Sequence, residues 1–532
     1  MNTKMRSKRS SPARWSAIRA ILGLILLIYP FNLAVARPTA IIPDPEIQGI
    51  LDQVTASALA TYDGSLSGEQ PVVIGGSPYT IETRYSWTTE PIQKATQYAY
   101  EHFQSLGLAV EYHEYNLAGH GRRNVIAEQP GITDPGCIYL IVAHLDDMSE
   151  DYNYYAPGAD DNASGSSGVL LAADLLSRHF FTCTLRYALF TGEEQGLVGS
   201  GAYASYMRGQ NEDIRGVLNL DMIGYNSKGK PEPILDLHTR KDASVNAGDL
   251  AIAYTFINVV TAYHLNLIPD LQQDDMRRSD HAAFWDRGYP AILAIEDNHD
   301  FTPYYHTTSD TLSTLDLVFF TNFVKAAAGT IAHLGGLVPP GQLNGVVSSA
   351  SSGAAISGAT VQARLDPARS WSSATGLDGS YTLALPPGGY QVTVSAPWYF
   401  TFTYDQAPVT AGQTTTLNFS LASCTPLQAD FSFSPPEPWA LEPVAFTSTL
   451  TAARNAPWTH GAAATTYTWD FGDGTPVLSG DGLSAVSHSF PMAPILHSYA
   501  VSLTVEDGCT PAAGVTHFVQ VRTLHTWLPV IR

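Results

Sequence analysis

The sequence predicts an α/β fold, a mostly parallel or mixed sheet flanked by helices, followed by two small all-β sandwich domains. Three observations predict it. Short apolar runs alternate with stretches of helical periodicity across residues 43–337. Pro339-Pro340-Gly341 then makes a natural joint. Beyond it the long helical patterns stop, and short alternating stretches between turn residues take over.

The elements follow in order. Residues 1–36 stand apart: Lys4, Arg6, Lys8, Arg9, Arg14 and Arg19 lead into the apolar run 21–28, and Ala34-Val35-Ala36 is a small-x-small cleavage pattern. This reads as a signal peptide cut after Ala36, so a secreted, extracellular protein is expected, without stable membrane insertion after cleavage. The run is shorter than the ~20 residues of a spanning helix, and no later segment reads as apolar enough to cross a bilayer. The α/β domain is expected over 37–338; its first part, 37–90, is either a removable pro-piece or part of the core. In 90–106, Ile92, Ala95, Ala99, Phe103 and Leu106 recur at helical spacing until Gly107 stops them. Residues 137–142 form a buried strand, 164–180 a helix, 185–190, 215–220 and 291–295 further strands, and 315–334 a closing helix. The first sandwich spans 341–422 and the second 427–522, with a joint at Cys424-Thr-Pro426 and a tail over 523–532.

Composition bounds the function. A chain of 532 residues suggests two to four domains. With 28 Lys+Arg against 49 Asp+Glu the formal charge is −21, which argues against nucleic acid, since phosphate binding needs a positive surface. The four cysteines permit two disulfides in an exported protein, by any of three pairings. Pairing within domains gives Cys137–Cys183 and Cys424–Cys509. No CxxC spacing marks a thiolate metal site.

The chemistry gathers at the carboxyl ends of the expected strands, where ligands bind in open α/β sheets. The first strand runs into His144-Leu-Asp146-Asp147, and a loop entering a helix carries Gly158-Ala-Asp160-Asp161-Asn162-Ala-Ser-Gly165. The next strand ends in Gly192-Glu193-Glu194-Gln195-Gly196, another in Asn219-Leu220-Asp221, and a late loop holds Tyr305-His306-Thr-Thr-Ser-Asp310. Each piece has a plain structural explanation. A lone His is usually a loop residue, Glu-Glu a solvated face, Asp-Asp-Asn a helix cap, and Asn162-Ala-Ser164 a glycosylation acceptor. Five pieces in order, each at a strand end or adjoining loop, outweigh those. Imidazoles and carboxylates without thiolates suit catalytic zinc. Two His with three carboxylates suit two ions sharing a bridging carboxylate.

These motifs together resemble those of the M28 zinc metallopeptidases, a family that includes secreted bacterial aminopeptidases; the likeness covers 43–337. The resemblance implies a phosphorylase/hydrolase-like zinc exopeptidase fold and two Zn2+ ions per chain. It places His144 and Asp221 on one ion and Glu194 and His306 on the other, with Asp161 bridging them. It implies Glu193 as general base, Asp146 as the carboxylate orienting the His144 imidazole, and Tyr305 as the group that stabilises the oxyanion. Arg278-Ser-Asp280-His281 matches another recurrent stretch, read as structural or pocket-forming. Downstream, Leu343-Asn-Gly-Val-Val347 with Thr375-Gly-Leu-Asp-Gly-Ser-Tyr381 resembles a carboxypeptidase-regulatory-like sandwich. Tyr467-Thr-Trp469-Asp-Phe-Gly-Asp-Gly474 with His497-Ser-Tyr499 is similar to a PKD domain. Such modules act as spacers or bind an extracellular polymer or surface.

The implied activity is removal of N-terminal residues from peptide or protein substrates. A carboxypeptidase of the same family would share the metal set and add a guanidinium for the substrate carboxylate, for which Arg240, Arg277 and Arg278 are candidates. A glutaminyl cyclase would not need His144. A non-enzymatic binding protein would have a damaged metal set, and this set is complete.

Overall fold

The computed structural model describes residues 40–523 apart from 228–231, 368, 425–426, 451–464, 494–495 and 507–511. The expected signal peptide, Cys509 and all but the first residue of the tail lie outside the described residues.

Helices α1 (Pro45–Leu51) and α2 (Ala56–Leu66) open the fold, each started by a side-chain cap. Asp44 accepts from the main-chain N of Glu46, and Thr55 from that of Ala58. Ile47, Ile50, Leu51, Leu59 and Leu66 sit in the main core, so α1 and α2 pack into it. A hairpin of β1 (Val72–Ile74) and β2 (Ser77–Tyr79) leads to α3 (Glu90–Ser105), β3 (Ala109–Leu117), β4 (His120–Gln129) and β5 (Asp134–His144). Then come α4 (Gly165–Leu176), β6 (Phe180–Phe181), β7 (Cys183–Phe190), α5 (Val198–Gln210), β8 (Asp213–Leu220) and β9 (Ile234–Thr239). The region closes with α6 (Ala247–Ala262), β10 (Ile268–Gln273), α7 (His281–Trp285), β11 (Ala291–Glu296), α8 (Leu317–Gly335) and β12 (Leu337–Val338).

The main sheet runs β10-β9-β11-β8-β5-β7-β4-β3. Its centre, β11-β8-β5-β7, is parallel, so those four carboxyl ends lie along one edge. The flanks make the sheet mixed: β4 opposes β7, β3 opposes β4, and β9 opposes β11. Every residue of β7 is buried, as expected for a strand covered on both faces. Strand β4, next to the edge strand β3, carries Arg122 and Arg123 in its half-exposed part, which hides it from a search for apolar runs.

The Cys137–Cys183 bridge is present and joins β5 to β7. Helix α8 differs from expectation. Among the described residues it is long and apolar enough to cross a membrane, yet 61% of its apolar window is buried inside the fold. Phe319, Phe320, Phe323 and Val324 place it in the core, so its apolarity is that of a core helix. The β-rich remainder packs around Leu343, Val361, Tyr381 and Tyr390 between Gly341 and Leu421. A separate core forms around Phe446, Trp469, Val501 and Leu503 between Ala429 and Val521.

Candidate metal centre

Three strand ends and two loops deliver the site. His144 is the last residue of β5, Glu193 and Glu194 follow β7, and Asp221 follows β8. Asp161 comes from the loop entering α4, and His306 from the loop between β11 and α8. The loop before Asp161 turns at Gly158, whose φ is +47°, and a Cβ there would lie 2.4 Å from the carbonyl oxygen of Asp161 and 2.9 Å from Nη2 of Arg84. The Asp310 carboxylate then accepts from the main-chain N of Asp160 at 2.9 Å and of Asp161 at 3.0 Å. Asn162 is fully buried and donates to the carbonyl oxygen of Leu220 at 3.0 Å, which removes it as a glycosylation acceptor.

The two carboxylate oxygens of Asp161 face two different imidazoles. Oδ1 lies 3.3 Å from Nε2 of His144, and Oδ2 lies 3.2 Å from Nε2 of His306. Asp221 Oδ1 is 3.2 Å from the same nitrogen of His144, and Glu194 Oε2 is 3.0 Å from that of His306. Two triads result, His144–Asp161–Asp221 and Asp161–Glu194–His306, each with its ligand atoms within 4.8 Å of one another. Glu194 Oε1 is buried without a hydrogen-bond partner. These are nitrogen and oxygen donors on strand ends and adjoining loops, a set that fits divalent cations such as zinc.

The electrostatics favour positive charge. Burial alone would raise the Asp161 carboxyl, but hydrogen bonds from His144 and His306 hold it far below the usual range. Burial pushes Glu193 well above its ordinary value. Burial and the charge of Asp161 lift Glu194 to about 7. Burial works against protonation of both imidazoles, yet Asp221 and Glu193 raise His144 strongly, and Asp161 and Glu194 carry His306 to about 10.

Asp146 makes a different contact from the one expected. The main-chain carbonyl oxygen of Asp146, not its carboxylate, lies within hydrogen-bond distance of His144 Nδ1, at 3.0 Å; the carboxylate is 3.8 Å away. That carboxylate instead accepts from the main-chain N of Gly192 at 2.9 Å and of Glu193 at 3.2 Å. The Tyr305 ring stacks on His306 at 3.7 Å and stays half exposed. Burial and the charges of Asp161 and Glu194 raise its hydroxyl, so it remains a proton donor.

The Arg278-Ser-Asp280-His281 stretch packs beside the site. Ser279 Oγ accepts from Nδ2 of Asn219 at 2.6 Å, and Asp280 is fully buried, its carboxyl pushed to about 7 by burial and pulled down by the nearby His144. Arg240 grips Asp249 with two bonds of 2.7 Å, and Arg277 pairs with Asp286, whereas Arg278 is exposed. Two site neighbours carried no motif and were missed: Arg84 and Ser86, both fully buried. Apart from Leu66 and Arg122, their partners lie 60 or more residues away along the chain, beyond sequence periodicity.

Residues 124–331 match the family described as Peptidase family M28, 342–422 match the Carboxypeptidase regulatory-like domain, and 431–519 match the PKD domain. Leucine aminopeptidase 1 of Paracoccidioides brasiliensis is 30% identical over 274 residues, 48% of this chain and 68% of the relative. A probable zinc metalloprotease of Pyrenophora teres f. teres is 26% identical over 326 residues, 53% of this chain, and the similarity spans 65% of that relative's length. LapB from Legionella pneumophila is similar at 21% identity and a TM-score of 0.47, over 56% of this chain and 77% of that one. This chain belongs to peptidase family M28 and continues into a carboxypeptidase regulatory-like domain and a PKD domain.

Proposed function

We propose that the protein is an exported two-zinc aminopeptidase that removes N-terminal residues from peptides. The observation that carries this reading is the placement of Asp161 between His144 and His306, 3.3 and 3.2 Å from their Nε2 atoms. A carboxylate with one oxygen toward each triad is what two ions sharing a bridge require. His144 and Asp221 would hold one zinc, Glu194 and His306 the other. Zinc, when bound, supplies Lewis acidity that polarises a carbonyl and eases deprotonation of water.

The chain's own groups do the rest. Glu193 is half-buried and its carboxyl is raised, which suits a group that must accept and return a proton. It takes a proton from the attacking water as oxygen adds to the scissile carbonyl carbon. It delivers that proton to the amine nitrogen as the C–N bond breaks. The Tyr305 hydroxyl donates to the carbonyl oxygen as negative charge develops on it. The name of one relative, leucine aminopeptidase 1, supports the choice of an aminopeptidase, and that of another, probable zinc metalloprotease, supports zinc. Arg240 and Arg277 are engaged by Asp249 and Asp286, which counts against either as the carboxylate grip of a carboxypeptidase. The basic and apolar leader of residues 1–36 supports export, and the two β domains would then hold the enzyme to an extracellular polymer or surface.

The test is hydrolysis of a panel of aminoacyl-p-nitroanilides with and without chelator. Activity lost on chelation and restored by zinc supports the reading. Protein that holds zinc and cleaves no member of the panel would sink it.

A further inference from the structure

We propose that Ser86 is a positioning residue for Glu193, acting through Asp146; the proposal rests on the reading of Glu193 as the general base. Ser86 lies outside the stretch matched to the family, 124–331, in a segment that carries no recognised motif. Its side chain nevertheless reaches the turn that presents the base.

That turn needs support. Strand β7 ends at Phe190 and the chain swings through Gly192, whose φ is +75°. A Cβ on Gly192 would lie 2.6 Å from the hydroxyl oxygen of Tyr115, so the turn is closed on that side. Tyr115 also donates to the carbonyl oxygen of Thr191 at 2.7 Å. On the other side stand Ser86 and Asp146. The Ser86 hydroxyl donates to Asp146 Oδ2 at 2.9 Å, and its oxygen accepts from the main-chain N of Gly192 at 2.8 Å. Asp146 in turn accepts from the Gly192 and Glu193 amides, at 2.9 and 3.2 Å. Ser86 and Asp146 are both fully buried, so water cannot replace a lost partner at low cost.

Ser86 is itself fixed from outside. Arg122 donates through Nε to the main-chain oxygen of Ser86 and through Nη2 to that of Trp87, at 3.4 Å for the latter. Dependence therefore runs from Arg122 to Ser86 and then, through Asp146 and through the direct bond from the Gly192 amide, to the turn that sets where the Glu193 carboxyl points. A shift of about 1 Å in a reacting group costs on the order of 100-fold in rate, so a small relaxation of this turn should appear in kcat and not in metal binding.

The experiment uses the full zinc-loaded chain with the substitutions Ser86→Ala and Ser86→Thr. Ser86→Ala should lower kcat by roughly 10- to 100-fold, with KM within about twofold and zinc content unchanged. Ser86→Thr, which keeps the hydroxyl, should restore most of the lost rate. Hydrogen exchange of a peptide spanning 190–196 should be faster in Ser86→Ala and near wild type in Ser86→Thr. The proposal is overturned if Ser86→Ala keeps the wild-type kcat, if its loss follows zinc content or KM, or if the exchange does not change. A wild-type protein that hydrolyses nothing while holding zinc sinks the aminopeptidase reading itself; an active wild type with an unaffected Ser86→Ala sinks this inference alone.

Discussion

The guanidinium of Arg84 lies 3.2 Å from the carboxylate of Asp147, and neither side chain has any exposure to solvent. Burial pushes the Asp147 carboxyl upward to about 7, and Arg84 pulls it down. Arg84 also donates to the carbonyl oxygens of Leu145, Leu66, Pro157 and Gly158 at 2.6–2.9 Å. One side chain thus ties helix α2 to both loops that flank the metal triads. Breaking a buried pair by removing one partner costs about 3–5 kcal/mol. Arg84→Met should therefore destabilise the α/β region by at least that much, seen as a lower midpoint in chemical denaturation. Adding Asp147→Leu should recover part of the loss, because the uncompensated carboxyl goes with it. A single variant as stable as wild type would remove Arg84 as the anchor of these loops.

Glu193→Gln keeps the shape of the side chain and removes the proton acceptor. General-base catalysis is worth about 10²–10⁴-fold, so kcat should fall by that factor while zinc content stays at the wild-type level. Both quantities come from one preparation, by initial rates and by elemental analysis. Retained turnover would reassign the base.

Tyr305→Phe separates two roles of one residue. The ring that stacks on His306 at 3.7 Å survives the change, and only the hydroxyl goes. Loss of one donor to a developing oxyanion costs about 10²–10³-fold in kcat. A drop of that order with little change in KM supports the oxyanion role. A purely structural ring would leave both constants alone.

The strands that feed the site were legible because β5, β7, β8 and β11 are buried on both faces and read as apolar runs. The site residues were legible for a related reason: His144, Glu194 and Asp221 stand at the abrupt end of such runs. Arg84 and Ser86 gave no comparable signal. Each is a single polar residue in an irregular stretch, made important by residues about 60 positions later in the chain. Strands β3 and β4 escaped because a half-exposed antiparallel pair mixes charged and apolar residues. The role of the Asp146 carboxylate was also beyond the sequence. The family resemblance implied an imidazole partner, and only the turn at Gly192 reveals the two amides it accepts from.

His281 makes a prediction about pH. It is fully buried, its Nε2 lies 2.7 Å from the carbonyl oxygen of Met276, and burial lowers its pKa from the ordinary 6.5 to about 3. The folded state therefore binds fewer protons here than the unfolded one. Stability from this group is complete above 6.5 and declines as pH falls toward 3, by about 1.4 kcal/mol per pH unit within that window. His281→Leu abolishes the slope. The stability difference between wild type and variant, measured by denaturation at pH 7 and pH 5, should move against wild type at the lower value. A difference independent of pH would mean that His281 titrates alike in both states.

Asp161 decides whether two ions share one carboxylate. Its Oδ1 stands by His144 and Asp221, its Oδ2 by His306 and Glu194. Substitutions in the two triads should therefore have unequal reach. Asp221→Ala removes a ligand from the first triad only, and His306→Ala from the second only, so each should lower zinc content from about two equivalents toward one. Asp161→Ala removes a ligand from both and should weaken both positions together, leaving protein that loses all its zinc to a chelator concentration at which the other two variants keep one equivalent. Elemental analysis after stepwise dialysis distinguishes these cases. Wild-type protein that saturates at one equivalent would refute the shared-carboxylate arrangement, and an Asp161→Ala variant that loses only one ion would confine Asp161 to a single triad.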